Sequence, residues 1–519
     1  MGRKSDYSAG LYKQFEDVMS RLSQLESAHK EDSAALKQLN NNLGVQAAEI
    51  QRLTDETAEQ KNTIQFLRTE NAALKKENQL LKDDNERMKR ILNNNSNNSS
   101  IPPSADQSKT GHQAEDAPGK PSNKYNGRIR SGRKKGAQPG HNGTTATRET
   151  IEEKIRNGEF LHKLLHIGKK SGSYVTRYVL DLDIKVTATE IRIYADTDGK
   201  YQIPAAYRSQ VTYGPNVRAM AACLYSEGVM SNDRICAFIN SVSGDRLEMS
   251  EGTVYSICRQ FSVLCKEEET AITADLLNSR VLCTDATHMT QDGIRAYIRN
   301  ISSAHSVIYR ATETKGLESL RTIKELAGFT GIFEHDHETA LYHFGTGHAE
   351  CNVHLERYLQ KNTEETGNKW SRDLAMFLKG MNHARKVQMS AGLCGFDAKK
   401  LSRYEARYDQ MLETGEAQHQ TTEGRIARQE ERKLLNRVKK YKENHLLFLH
   451  NFEVPYSNNM SERDLRKCKN RQKMSGGFRS MNGMDMYCSI MSVIETAKRR
   501  GLNIYHSISK LFEGRSVIA

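Results

Sequence analysis

Between Phe15 and Leu92 apolar side chains return every 3.5 residues, and no other stretch of the chain restricts its fold so tightly. One seam position carries Phe15, Leu22, Leu36, Leu43, Ile50, Ile64 and Leu92, interrupted by His29, Thr57, Asn71, Asn78 and Asn85. The other carries Val18, Leu25, Leu39, Leu53, Leu67, Leu74, Leu81 and Met88, interrupted by Asp32, Gln46 and Gln60. A 3.5-residue period stays on one side of a 3.6-residue helix only when helices supercoil about each other. From Phe15 to Leu92 there is no proline, and Gly44 is the single glycine. Residues 10–92 are therefore expected to form a coiled-coil dimerisation helix. Three successive asparagines at one seam position lower stability but meet each other in one register, which favours a parallel homodimer.

Asn93–Ser100, followed by Pro102-Pro103, ends that helix. Residues 93–148 are rich in Ser, Gly, Pro and Lys and read as a flexible linker. From Ala117 to Arg148 the linker holds no acid. Its cluster Arg128, Arg130, Arg133, Lys134 and Lys135 is a basic arm of the kind that enters a narrow minor groove. The formal charge of +13 over 519 residues also points to a polyanionic partner, here double-stranded DNA. There is no apolar run of about 18 residues and no apolar stretch near Met1. A cytoplasmic protein without a membrane partner is expected. All nine cysteines lie at or beyond Cys223, in odd number and without a Cys-x-x-Cys pair, so neither disulfides nor zinc are expected.

Residues 174–203 alternate in the manner of strands (Tyr174, Thr176, Tyr178, Leu180; Ile191, Ile193, Tyr194) and predict a small β-rich module over 149–204 with a turn at Asp198-Gly199. Residues 205–275 read as short helices, with Ser250 capping one of them. They are consistent with a helix-turn-helix DNA-binding region or with any other three-helix packing unit. Beyond them Val281–Thr284, Ile294–Arg299 and Ser306–Ala311 read as three strands, followed by a helix over Leu317–Leu326 and a strand over 331–335. That order belongs to an α/β core of the ribonuclease-H-like class. Residues 276–485 would form it, with a charged helical insertion at about 364–450, and residues 486–519 would add C-terminal helices.

Three acids lie where two-metal phosphoryl chemistry needs them. Asp285 ends the apolar strand Arg280–Asp285, Asp336 follows the strand Gly331–His335, and Glu462 opens a basic helix. Two Mg²⁺ ions, with Mn²⁺ able to substitute, require carboxylates converging from rigid elements. Each acid has a duller explanation. Asp285 can be a turn residue, although Asp292-Gly293 already supplies a hairpin turn. Glu334 and Glu338 compete with Asp336, while strand alternation would turn His335 and His337 to the opposite face. With Asn459 as N-cap, Glu462 would merely complete a capping box. Lys469 lies two turns beyond Glu462 on nearly the same face, and Lys473 and Arg479 follow as further candidates for DNA contact. Cys351 and His354, one helical turn apart, can be half a metal site, support for an active site, or a core pair.

The stretch Ser457–Arg466, with Lys473–Ser480, resembles the end of the catalytic domain of insertion-sequence 66 family transposases. Asn93–Ser100 with Pro102-Pro103-Ser104, Gly136–His141, and the pair Cys351 and His354 resemble further motifs of that family. The resemblance implies a DDE transposase of ribonuclease-H-like fold. Asp285, Asp336 and Glu462 would be its catalytic, metal-binding acids, supported by Cys351, His354 and Arg357. It further implies Mg²⁺-dependent cleavage and strand transfer at the ends of the protein's own insertion sequence. By the same resemblance the protein would work on the bacterial nucleoid as a dimer or higher oligomer, with accessory proteins of the same element. Residues 149–204 depart from the family in lacking the cysteines of its zinc module, Asn352 stands at a common Trp, and the neighbours of Asp336 differ. The alternatives are a structure-specific nuclease of the same fold class and a catalytically inactive, dimeric DNA-binding derivative.

Overall fold

The computed structural model describes residues 5–93, 146–167, 174–182 and 184–518. They divide into an N-terminal unit, Met1–Leu92, and a second unit holding the rest. The N-terminal unit is one helix, Ser5–Asn93, 89 residues long. Its apolar seam is open to solvent in a single copy, with Leu22 49% and Leu36 59% exposed. One helix has nothing on which to bury its own stripe. The basic arm Arg128–Lys135 lies outside the described residues.

The second unit is built on a mixed five-stranded sheet of order β3-β2-β1-β4-β5. Its strands are β1 (Val281–Gln291), β2 (Ile294–Ser302), β3 (Val307–Thr312), β4 (Ile332–His335) and β5 (Gly347–Glu350). β1, β2 and β3 pair antiparallel, whereas β4 and β5 run parallel to β1. Asp292 and Gly293 both have positive φ, the geometry of a tight two-residue hairpin turn between β1 and β2. β1 is longer than its apolar half suggests. Asp285 therefore lies within the strand, opposite Asn300, rather than at its end. β5 (Gly-His-Ala-Glu) was absent from the expected order because its four residues show no hydrophobic alternation.

Helices Pro215–Ser226, Asn232–Ser243 and Glu251–Leu277 precede the sheet. Ser250 caps the third by accepting from the Thr253 N–H. Val254, Phe261, Ile272 and Leu276 of that helix join the same core as the sheet and the C-terminal helix Met481–Arg499. A second core lies in the insertion, where Trp370, Leu374, Tyr408, Leu435 and Phe448 pack together. The insertion helices are Lys369–Ser390, Ala398–Gln420, Arg425–Lys440 and Lys442–His450. The β-rich module needs correction. Among the described residues of 149–204 there is the helix Arg148–Arg156 and an isolated bridge, Ala195 to Tyr201, but no strand. Tyr174, Leu180 and Tyr194 stay exposed there, so the alternating pattern has no face to bury. No helix among the described residues is long and apolar enough to cross a membrane.

Candidate active site

β1 and β4 are parallel neighbours, and their pairing ends at Cys283 with Glu334. Two residues beyond that pair the chains present Asp285 and Asp336. Parallel strands lie about 4.8 Å apart, so this register brings the backbones that carry the two acids side by side. Asn300 steadies the first acid by accepting from the Asp285 N–H at 3.1 Å, and the Ala286 N–H donates to Asp285 Oδ1 at 2.6 Å. Burial pushes the Asp285 carboxyl up, the Asp336 carboxylate adds to the shift, and the Ala286 N–H with Lys315 and Lys469 opposes it. A buried carboxylate raised by a second one beside it marks a site short of positive charge.

Glu462 arrives on the helix Asn459–Ser475, which packs across β1 and β2. The N-cap of that helix is Asn458, one residue earlier than expected, and its side chain makes no capping bond. Glu462 therefore sits one position past the place a capping-box acid would take. Asn458 does other work: its Nδ2 donates to the Thr284 carbonyl at 2.8 Å, and its backbone N–H donates to Cys351 Sγ at 3.2 Å. One buried asparagine thus ties the Glu462 helix to the strand of Asp285 and to the chain after β5. Cys351 is buried at the start of the helix Asn352–Thr366, and burial together with Glu334 and Asp336 pushes its thiol up.

His354, one turn along that helix, stands between the second and third acids. Its Nδ1 is 3.0 Å from Asp336 Oδ1, and its Nε2 is 3.9 Å from Glu462 Oε1 and 3.1 Å from Arg357 Nη1. Among the described residues neither His354 Nδ1 nor Asp336 Oδ1 has an aligned hydrogen bond, although both are buried. Donor atoms of Asp336, Cys351 and His354 all lie within 4.8 Å of one another, an arrangement that could hold a metal ion. Arg357 Nη1 lies 3.9 Å from Glu462 Oε1.

Two other acids near the site are engaged elsewhere. Glu338 pairs with the buried Arg299 at 2.5 Å, and Asp464 is held by Arg499 at 2.6 Å with Ser302 and Asn300. Glu334 is fully buried and has no hydrogen-bond partner among the described residues, and desolvation, with the Asp336 and Glu350 carboxylates, pushes its carboxyl well up. Of the expected cations, Lys469 reaches the field of Asp285. Lys473 and Arg479 are exposed. Lys473 lies eleven residues past Glu462, roughly 16 Å along the helix axis. Lys315, on the turn after β3, acts on Asp285 with its ammonium 5.6 Å from the Tyr297 ring centre. No motif around Lys315 marks it in the sequence; a loop cation is identified only by where the loop ends.

A sequence profile described as "Transposase IS66 family" matches residues 210–486, just over half of the chain, a span within which Asp285, Asp336 and Glu462 lie. The uncharacterized protein y4jO of Sinorhizobium fredii is similar over a shorter stretch, 34% identical over 74 residues, or 14% of this chain and 23% of that protein. The chain thus matches about a quarter of the length of that curated relative.

Proposed function

The chain belongs to the IS66 family of transposases, and on that premise we propose that it cuts and rejoins DNA at the ends of its own insertion sequence with Asp285, Asp336 and Glu462 as the acids of the site. The observation that supports this most directly is their convergence. Two acids stand side by side beyond the last pair of β1 and β4, and His354 spans from the second to the third. The strand order β3-β2-β1-β4-β5, with the third acid on a later helix, supports a ribonuclease-H-like core.

The donor set suits divalent cations. Hard carboxylate oxygens are what Mg²⁺ and Mn²⁺ select, and a bound cation would relieve the mutual repulsion of Asp285 and Asp336. When bound, such ions activate an attacking oxygen and stabilise the leaving one. Asp285 and Asp336 would hold them from the sheet, and Glu462 from the helix. His354, 3.0 Å from Asp336 and in contact with Arg357, would steady the Asp336 carboxylate. Lys315 and Lys469 flank Asp285 and would receive the phosphate that is cut. The acids alone would repel that phosphate, so the two ammonium groups lower the work of bringing DNA in.

The open seam of Ser5–Asn93 supports a second copy as its partner, in a parallel dimer that would hold two element ends together. The test is direct. Asp285→Asn and Asp336→Asn keep size while removing the charge. Each should lose Mg²⁺-dependent nicking and joining of a duplex carrying the flanking inverted repeats, with duplex affinity near wild type. Nicking at wild-type rate by either variant would refute the assignment.

A further inference from the structure

The chain leaves β4 in an awkward conformation. His337, directly after Asp336, has φ of +30°, in the left-handed region that residues with a Cβ rarely adopt. Something must hold it there. The His337 ring meets the Glu350 carboxylate through Nδ1 and stands edge-on to Tyr441, with ring centres 4.7 Å apart.

Glu350 is the last residue of β5, and His335 pairs with it across the parallel β4–β5 ladder. It is 1% exposed. Tyr342 Oη donates to its Oε1 at 2.6 Å and Arg437 Nη2 to its Oε2 at 3.0 Å, with His445 Nε2 at 3.5 Å. Burial works to raise this carboxyl, yet the donors hold it down at about 2, so it stays charged. Arg437 and His445 belong to the helical insertion, on the helices Arg425–Lys440 and Lys442–His450. Two further bonds join the same parts: Asn444 Nδ2 donates to the His348 carbonyl at 2.8 Å, and Asn352 Nδ2 to the His445 carbonyl at 3.0 Å. A network serving packing alone would not require a strained residue beside a candidate acid.

We infer that the helical insertion sets the aim of the second acid: Arg437 anchors Glu350, Glu350 holds His337 in its left-handed conformation, and that backbone turn directs Asp336 toward Asp285. His337, Glu350 and Arg437 are thus positioning residues. This rests on Asp336 being a metal-binding acid, as proposed above. The insertion is then a clamp on the metal site, and its docking decides whether the second carboxylate is in place.

The substitutions at His337 separate conformation from grip. His337→Asn tolerates positive φ and still offers a donor to Glu350. His337→Gly tolerates it without the grip, and His337→Val disfavours it and has no grip. Mn²⁺ binding to the full-length protein without DNA would be followed by the electron paramagnetic resonance of free Mn²⁺. Cleavage would be measured against Mg²⁺ concentration, with thermal unfolding and duplex affinity alongside. Metal affinity should fall in the order Asn, Gly, Val, by about tenfold or more for Val, with duplex affinity unchanged. Glu350→Gln and Arg437→Leu should raise the half-saturating Mg²⁺ in the same direction. Wild-type Mn²⁺ and Mg²⁺ dependence in His337→Val would overturn the clamp, and so would a fall in unfolding temperature with no change in metal dependence. Asp336→Asn keeps the two ideas apart. If it still binds Mn²⁺ as wild type does, the metal-site assignment fails. If it loses the metal while the His337 variants do not, only the clamp fails.

Discussion

Glu462→Gln should leave the fold standing and remove the chemistry, and the structure limits how much stability can be lost. Glu462 makes no capping bond, because the helix begins at Asn458 and the Asn458 side chain caps nothing. Its two nitrogen neighbours, His354 Nε2 and Arg357 Nη1, are each 3.9 Å away, at the outer limit of an ion pair, and the side chain is 25% exposed. Such a pair contributes about 0–1 kcal/mol. The charge also sits in the first turn of a helix, which contributes about 0.3–1 kcal/mol. The amide should therefore cost about 1 kcal/mol, or roughly 1–2 °C of unfolding temperature for a unit of this size. A lost metal ligand forfeits several kcal/mol of transition-state stabilisation. Taken as about 4 kcal/mol, that is on the order of a thousandfold in rate. The assay pairs thermal unfolding with Mg²⁺-dependent nicking of a duplex carrying the element's terminal repeats. A Gln variant that cuts within tenfold of wild type would refute the role of Glu462. A loss of 10 °C or more accompanying the lost activity would show that the side chain serves the fold instead.

Residues 15–92 should sediment as a dimer at micromolar concentration, and changing Asn71, Asn78 and Asn85 to Leu should raise its unfolding temperature while admitting other oligomers; a monomer would rule out the seam. Replacing Arg128, Arg130, Arg133, Lys134 and Lys135 by Ala should weaken DNA binding and flatten its dependence on salt, since each phosphate contact releases counterions. An unchanged slope would mean that the arm makes no such contacts. Gly477→Ala should destabilise the second unit by about 4 kcal/mol. At φ +122° an added Cβ would lie 2.2 Å from the Thr290 carbonyl, opening the bonds of Phe478 N–H to Thr290 and of Asp292 N–H to Phe478, both 2.8 Å. A denaturant midpoint equal to wild type would contradict that.

Much of the architecture was legible because its signals are local. A 3.5-residue period, a run of asparagine before two prolines, and Asp292-Gly293 between two apolar stretches each act within a few residues, and the long helix and the hairpin followed from them. Expectation failed where a local pattern met no partner or where a partner supplied the structure. The alternating residues 174–203 had no surface to pack against and formed no strand among those described, whereas Gly347–Glu350 has no strand pattern and is recruited by β4. The capping box at Glu462 was a correct local possibility that shifted when Asn458 was drawn to the Thr284 carbonyl instead.

The sequence by itself determined which residues were candidates: three acids on three segments, a Cys-x-x-His turn and a surplus of cations. Tertiary structure decided which of them meet. The adjacency of Asp285 and Asp336 follows from the register of β1 against β4, and the place of Lys315 from where the turn after β3 ends. His337 takes a strained backbone because Glu350 and Arg437 arrive from elements far along the chain. Periodicity is a property of neighbours in sequence, whereas register and strain are settled by the summed packing of elements distant in the chain. For that reason the list of acids could be written from the sequence, and the shape of the site could not.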